Sequence, residues 1–584
     1  MVFLAVVASV LALYGASDRP LFTAHEARAA RCARHMLRPD EWPGDRPNPW
    51  LIPQFSPDVP PGLAYQKPPL YYWAVAAASL VGGEVTPLTV RLPSAVGFVL
   101  LVLVVYFLGR DLVGHRTGLV AALVLASTPK VLWWGRAAIL DPMLAVCIAA
   151  ALLCFVRAHL GRGGAWQYWL FWALAGLGTL VKATALVVPL LTVGLYLLVR
   201  CRQDGFWRSL ARLKPITGPL VLLAVAAPWH MAAHWATGGA FSRIYWGMHV
   251  FGRATGTGVF EARTAPWFYL PAMARDLFPW VVFLPGALVQ VWRRRSRPER
   301  RAMLFPFVWF VGSLAFFSAV SFRKDEYMLV AYGAAALLVG YLLDYYVEAQ
   351  NEDAALRKWI VVAFVVLAAV AVVMVAALLA LGLAPWARQG LLEALDNRTD
   401  RAVVSAVGNL LAGRVWLAVA LAAPVAVGAV ASLVLVLRRR ATGAFALTVC
   451  TTILAFALFV EMAVPALGRV RGLVAFADAV EAEAVRRGPS TRVLLAIEEC
   501  HELAFLLDER ADELKALVKP QAFLGRETAE GRSWLVVTDR DAYESGAWAD
   551  LGAWQVVAQT PEGHRRPMIC LAPPAEKSEP TEEP

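Results

Sequence analysis

The sequence predicts an all-α polytopic membrane protein that ends in a small α/β domain. Three observations predict it. The 584 residues are 59% hydrophobic and only 17% charged, with a mean hydropathy of +0.55, too apolar for one soluble globule with a polar coat. Apolar runs near the ~20 residues that a spanning helix needs recur along the chain, for example 359–384 and 413–437. Beyond residue 464 the text changes to alternating helix-like and strand-like runs.

Taken in order, about thirteen apolar segments read as transmembrane helices, because a backbone in lipid must satisfy its own hydrogen bonds. They lie near 1–16, 95–109, 117–134, 142–157, 166–181, 184–199, 216–235, 279–292, 303–320, 327–344, 359–384, 413–437 and 443–463. Residues 1–16 lack a basic n-region and a cleavage site, so they read as the first span and not as a signal peptide. The connections test the parity. Arg110 and Arg116, Arg157 and Arg162, the group Arg200 to Lys214, the group Arg293 to Arg301, and Arg438 to Arg440 all fall on one side. The positive-inside rule makes that side cytoplasmic. The expectation is a multi-pass protein of the cell (plasma or inner) membrane, with a cytoplasmic N-terminus and a periplasmic or extracellular C-terminal domain.

The outer side then receives the loop 17–94, the loop 236–278, the turns at Asp141, Lys182 and Lys324, the loop 385–412, and everything from 464. Within the first loop, residues 70–83 are apolar but short for a span, and Tyr71, Tyr72 and Trp73 suit the headgroup level, so they read as an interfacial helix. The expected domains are 1–463 in the membrane, 464–572 as an exported α/β domain, and a disordered acidic tail over 573–584. A helix near 472–487 and strands at 492–497, 533–538 and 554–559 build that domain.

The net charge of +11 does not point to nucleic acid, since the arginines punctuate apolar spans. No CxxC pair or zinc spacing occurs among the seven cysteines, and Cys500 and Cys570 in the exported part could pair.

Each candidate site residue has a duller reading beside it. Thr23 followed by Glu26 is a capping box, a full structural reason for Glu26 set against a catalytic one. His25 in the same first turn is disfavoured as a cation by the helix dipole, which leaves a neutral imidazole able to accept a proton, or simply a polar turn. Lys67 precedes two prolines and could meet a lipid phosphate or snorkel as an anchor. Asp141, followed by Pro142, is either a helix cap or a carboxylate kept for chemistry; at a span's centre it would cost about 2.5–3.5 kcal/mol. Lys182, His249, Arg253, Lys324 and Tyr327 share the same outer side. Any one could be an anchor; together they make a basic, partly apolar pocket of the kind a phosphate-linked lipid needs.

The order of HEARAA (25–30), QKPPLYYW (66–73), RAAILDP (136–142), Lys182 before a Pro-ended apolar run, APWH (227–230), MHVFGR (248–253), PWFYLP (266–271) and RKDEY (323–327) resembles the lipid-phosphate-dependent glycosyltransferases of the C-type fold. The likeness is to the branch of aminoarabinose transferases that modify lipid A and, more distantly, to protein O-mannosyltransferases. It covers residues 1 to about 345 by motif and the rest by architecture. The resemblance implies a sugar taken from a polyprenyl-phosphate donor and passed to a lipid or cell-envelope acceptor outside the membrane. It implies Glu26, His25 and Asp141 on the acceptor side. Arg28, Lys67, Lys182, Arg253, Lys324 and Tyr327 are implied on the donor phosphate. His25 stands where the family has Asp, and Gln66 where an acidic residue is usual, so the base stays open between Glu26, His25 and Asp141. A divalent metal with His249 as ligand is an open alternative, and no other cofactor is implied. Rival readings are a transporter or flippase of lipid-linked sugars, and a silent glycolipid-binding relative. The one-sided polar residues and the structured outer loop weigh against transport.

Overall fold

The helix Pro87–Leu112 shows how the membrane part is assembled. Thr86 caps it, its hydroxyl accepting from the Thr89 N–H while the Thr89 hydroxyl accepts from the Thr86 N–H, and Pro87 fills the first helical position. At 1.5 Å per residue, its 26 residues reach about 39 Å, enough to cross a bilayer with tilt. Small residues let its neighbours close in. A Cβ on Gly118 would stand 2.5 Å from the Tyr106 carbonyl, and one on Gly109 would stand 2.6 Å from Gly118, so the two backbones touch where any side chain would hold them apart.

The computed structural model describes residues 1–21, 23–56, 65–257, 265–293, 302–349, 353–395, 398–465, 473–497, 500–513, 533–546, 548, 554–561, 564 and 566–573. Most of the expected arginine cluster at 293–301 and of the expected tail at 573–584 lies outside the described residues. Two compact units are present. One comprises Met1–Asp18, Cys32–Leu378 and Trp416–Phe459; the other comprises Arg19–Arg31, Leu379–Val415 and Val460–Pro584.

Among the described residues six unbroken helices are long and apolar enough to cross a membrane, and up to ten spans result if each of four bent helix pairs is one span. The bends have local causes. The segment expected to run straight over 117–134 is two helices, His115–Ala126 and Pro129–Gly135, turned by 71°. Ser127 and Thr128 hydroxyls donate back to the Leu123 and Val124 carbonyls at 2.6 and 2.8 Å, and Pro129 has no N–H to carry the ladder on. After Thr217–Ala236 the chain swings by 115° into residues 240–255, with Gly238 and Gly239 at φ +55° and +82°. The apolar stretch of the first outer loop is the helix Leu70–Gly82, closed by Gly83 at φ +84°. The first helix, Val2–Leu13, has its C-terminal end sealed from far along the chain. Arg136 donates to the Leu11 and Tyr14 carbonyls, and Arg91 donates to the Ala16 carbonyl at 2.7 Å.

In the second unit a sheet runs in the order β2-β1-β3-β5-β4. Its strands are β1 (Arg492–Leu495), β2 (Ala511–Glu513), β3 (Trp534–Asp539), β4 (Gln555–Gln559) and β5 (Met568–Ala572). β1 pairs in parallel with β2 and β3, while β5 is antiparallel to β3 and β4. Alternate residues separate into two cores. Val493, Leu495, Leu535, Val537 and Cys570 face one way with Val480 and Ala484 of the helix Val474–Arg487, and Leu494, Val536, Ile569 and Leu571 face the other with Trp534 and Trp548. β5 was not anticipated: buried on both faces, it reads as five apolar residues without alternation. The suggested pairing of Cys500 with Cys570 is not made. Both are reduced in this core, Cys500 lying 3.9 Å from the Met568 sulfur while the β-structure carries Cys570 separately.

Candidate functional site

Six of the expected site residues meet in the first unit. Lys67 follows an anchor, Tyr65, whose ring packs on Phe241 with centroids 5.9 Å apart. Pro68 and Pro69 then lead into the helix Leu70–Gly82, whose first N–H donates to the Leu180 carbonyl at 3.0 Å. That bond ties Lys67 to the turn bearing Lys182. Tyr245 fixes the same turn by accepting the Ala183 N–H at 3.0 Å. Asp141 is the first residue of the helix Asp141–His159 and not its cap as the cap reading expects: Leu140 takes the cap position, no side chain caps the helix, and the Asp141 carboxylate is engaged instead by Lys182 Nζ at 3.1 Å. The Lys182 ammonium lies 4.7 Å above the Tyr327 ring.

Arg253 and Lys324 complete the group. The Phe322 N–H donates to the Arg253 carbonyl at 3.1 Å, and the Arg253 guanidinium and the Lys324 ammonium stand 5.6 and 5.8 Å from the Phe322 ring. The charges act on one another. Burial pushes Lys67 down to about 7, Lys182, Lys324 and Arg253 push in the same direction, and Asp141 alone among these neighbours opposes them. For Lys182 burial works against the charge too, but Asp141 and its neighbours outweigh it and hold the ammonium above its usual range. Four cations gathered around a paired carboxylate repel one another, and an anion entering among them relieves that repulsion.

A second layer was not legible in sequence. Asp325, beside Lys324, accepts Lys130 Nζ and Arg275 Nη2, each at 2.8 Å; Arg275 also reaches Asp276 at 2.8 Å, and Tyr332 donates to Asp276 at 3.1 Å. This network pins the turn Asp325–Met328, which presents Lys324 and Tyr327. RKDEY was a motif, but its partners at 130 and 275 lie too far away in sequence to be matched without the fold.

Glu26, His25 and Arg28 belong to the second unit. The helix Ala24–Leu37 starts where expected, the Glu26 N–H donating to the Thr23 hydroxyl at 3.2 Å. Glu26 is 1% exposed and lies 3.9 Å from the Arg19 guanidinium, which satisfies the structural reading of that residue. His25 is exposed. The metal alternative at His249 does not fit: its Nδ1 lies 3.2 Å from the Arg253 guanidinium, which repels a cation. Among the described residues no three His, Cys, Asp or Glu side chains group closely enough to hold a metal ion.

Residues 66–231 match the dolichyl-phosphate-mannose-protein mannosyltransferase family. The undecaprenyl phosphate-alpha-4-amino-4-deoxy-L-arabinose arabinosyl transferase of Pseudomonas paraeruginosa is 32% identical over 334 residues, 56% of each chain. A second such transferase, from Proteus mirabilis, is 28% identical over the same share. The chain thus spans a little over half the length of these curated relatives. Over 97% of both chains the fold matches that of ArnT from Cupriavidus metallidurans, with a TM-score of 0.74 at 21% identity in the apo state and 0.72 at 19% in the form bound to undecaprenyl phosphate. This multi-pass chain has the C-type glycosyltransferase fold and is similar in sequence to the lipid-phosphate-dependent glycosyltransferases, aminoarabinose transferases and protein mannosyltransferases among them.

Proposed function

We propose that the protein moves a sugar from a polyprenyl-phosphate donor to a lipid or cell-envelope acceptor on the outer face of the membrane. The observation that carries this is the cluster of Lys67, Lys182, Arg253 and Lys324 around Asp141, with Lys67 held down to about 7 by burial and by its fellow cations. In such a transfer an acceptor oxygen attacks the anomeric carbon, the bond from that carbon to the phosphate oxygen breaks, and polyprenyl phosphate leaves with an added negative charge. Cations already in position stabilise that charge as it develops. Lys67, Arg253 and Lys324 take this role. Lys182 and Tyr327 orient the carboxylate and close the wall. Asp141 is the proton acceptor we favour, since its carboxylate stands among these cations.

The same reading has thirteen crossings. Six unbroken helices and four bent pairs are joined by the shorter helices Val2–Leu13, Trp166–Thr179 and Leu304–Ala319. With arginines inside, the N-terminus is cytoplasmic, residues 1–463 form the catalytic membrane domain of a plasma or inner membrane protein, and 464–572 are exported. The test is turnover by purified protein offered a panel of undecaprenyl-phosphate sugars, read as release of undecaprenyl phosphate together with sugar on a lipid acceptor. Release with at least one donor, abolished in Asp141→Asn, is expected. Binding of undecaprenyl phosphate without turnover of any donor overturns the enzymatic reading in favour of a silent lipid-binding relative.

A further inference from the structure

The second unit contains a cavity of about 290 Å³ lined by Ala24, Leu473, Cys500, His501, Glu502, His564, Arg566 and Met568. It shares no residue with the cluster of Lys67 and Asp141. Two histidines and a glutamate in its wall are buried, His501 at 4%, Glu502 at 3% and His564 at 3% exposure, an unusual density of ionisable groups for the edge of a core. The only carboxylate in the wall is turned toward backbone, Glu502 Oε1 accepting the Leu473 N–H at 3.1 Å. Arg566 reaches past the cavity to Asp539 at 3.2 Å, and its backbone N–H lies 3.1 Å from His564 Nδ1. Positive charge surrounds the space from two elements. Burial pushes His501 down to about 2, and Arg28, Arg31, Arg566 and His25 all push it further the same way. His25, Arg28 and Arg31 recur every three residues on the helix that begins at Ala24, so its positive N-terminal end and its basic side chains act together on the same histidine.

We propose that this cavity is a second anion site, which binds a phosphomonoester, either free or as a lipid headgroup. Arg566 supplies fixed charge, and His501 and His564 supply ring N–H donors. Burial, with the surrounding positive charge behind it, keeps His501 neutral, and a neutral imidazole still offers one ring N–H to an oxyanion. The volume accepts a phosphate together with part of the group it is attached to.

The test uses the full-length protein in detergent, in a Lys67→Ala, Arg253→Ala background that takes two of the four cations from the other cluster. Inorganic phosphate and short-chain phosphatidic acid are titrated separately by calorimetry. Saturable binding of both ligands, or of the lipid alone, is expected, the second result identifying a headgroup as the natural source. Arg566→Gln should weaken it about tenfold or more. Ala24→Phe, which fills the mouth from an exposed position and leaves every charge in place, should do the same with the melting temperature unchanged. No binding of either ligand in the folded background protein, or binding indifferent to both substitutions, overturns the proposal. Sugar transfer by the parent protein is assayed separately, so failure here leaves the donor reading standing.

Discussion

Asp325 Oδ2 lies 2.8 Å from Lys130 Nζ, a contact bridging 195 residues of sequence. It holds the turn that carries Lys324 and Tyr327, so its loss should act on the site without removing any group that meets the donor. Lys130→Met is expected to lower stability by roughly 1–3 kcal/mol, since both partners are mostly buried and Asp325 loses one of the two cations that pair with it. It should also raise KM for the lipid-linked donor more than it lowers kcat. A thermal melt and steady-state kinetics check both; an unchanged KM would mean that the turn keeps its place unaided.

Lys67 makes donor binding proton-linked. Held down to about 7, it is largely neutral at pH 8, and a bound phosphate raises it again. Titrating undecaprenyl phosphate at pH 8 in buffers of different ionisation enthalpy should therefore show uptake of a fraction of a proton per site, falling toward zero at pH 6. Lys67→Arg should abolish the uptake while keeping affinity, because a guanidinium stays charged throughout. The sign for stability follows the same way. A cation depressed from its unfolded value destabilises the fold below pH 7, and this penalty is relieved as pH rises from 7 toward 10.5.

Asp141→Asn should leave donor affinity within a few-fold and lower turnover by a factor on the order of 10² to 10⁴, the usual effect of a lost general base. Glu26→Gln is the contrasting case. Its backbone N–H still bonds Thr23, so the cap survives, and its effect should be on stability through the lost contact with Arg19. If Glu26→Gln loses turnover and Asp141→Asn does not, the base is Glu26.

A reporter active only in the cytoplasm, fused after residue 470, should be silent, whereas one fused after Arg440 should be active. The reverse pattern would invert the orientation of every outer loop.

What could be read from the sequence were the features carried by local composition. Apolar length found the long apolar helices but not the more polar Pro385–Ala394 and Arg398–Leu411, and Thr23 with Glu26 marked the start of a helix to the residue. The order of basic motifs on one side picked out Lys67, Asp141, Lys182, Arg253 and Lys324, which do assemble. The features that escaped depend on partners distant in sequence. Nothing local says that Lys130 and Arg275 converge on Asp325, or that Ser127 and Thr128 break a continuous apolar run. β5 hid because a strand buried on both faces has no alternation to read.

The seal on the first helix orders events during synthesis. The carbonyls at its end are capped by guanidiniums at Arg91 and Arg136, so while the ribosome is still making the first outer loop that helix end has neither partner and only water can satisfy it. The end of this helix therefore takes its final bonds only once Arg136 has been made, 125 residues beyond Leu11 and 122 beyond Tyr14 along the chain.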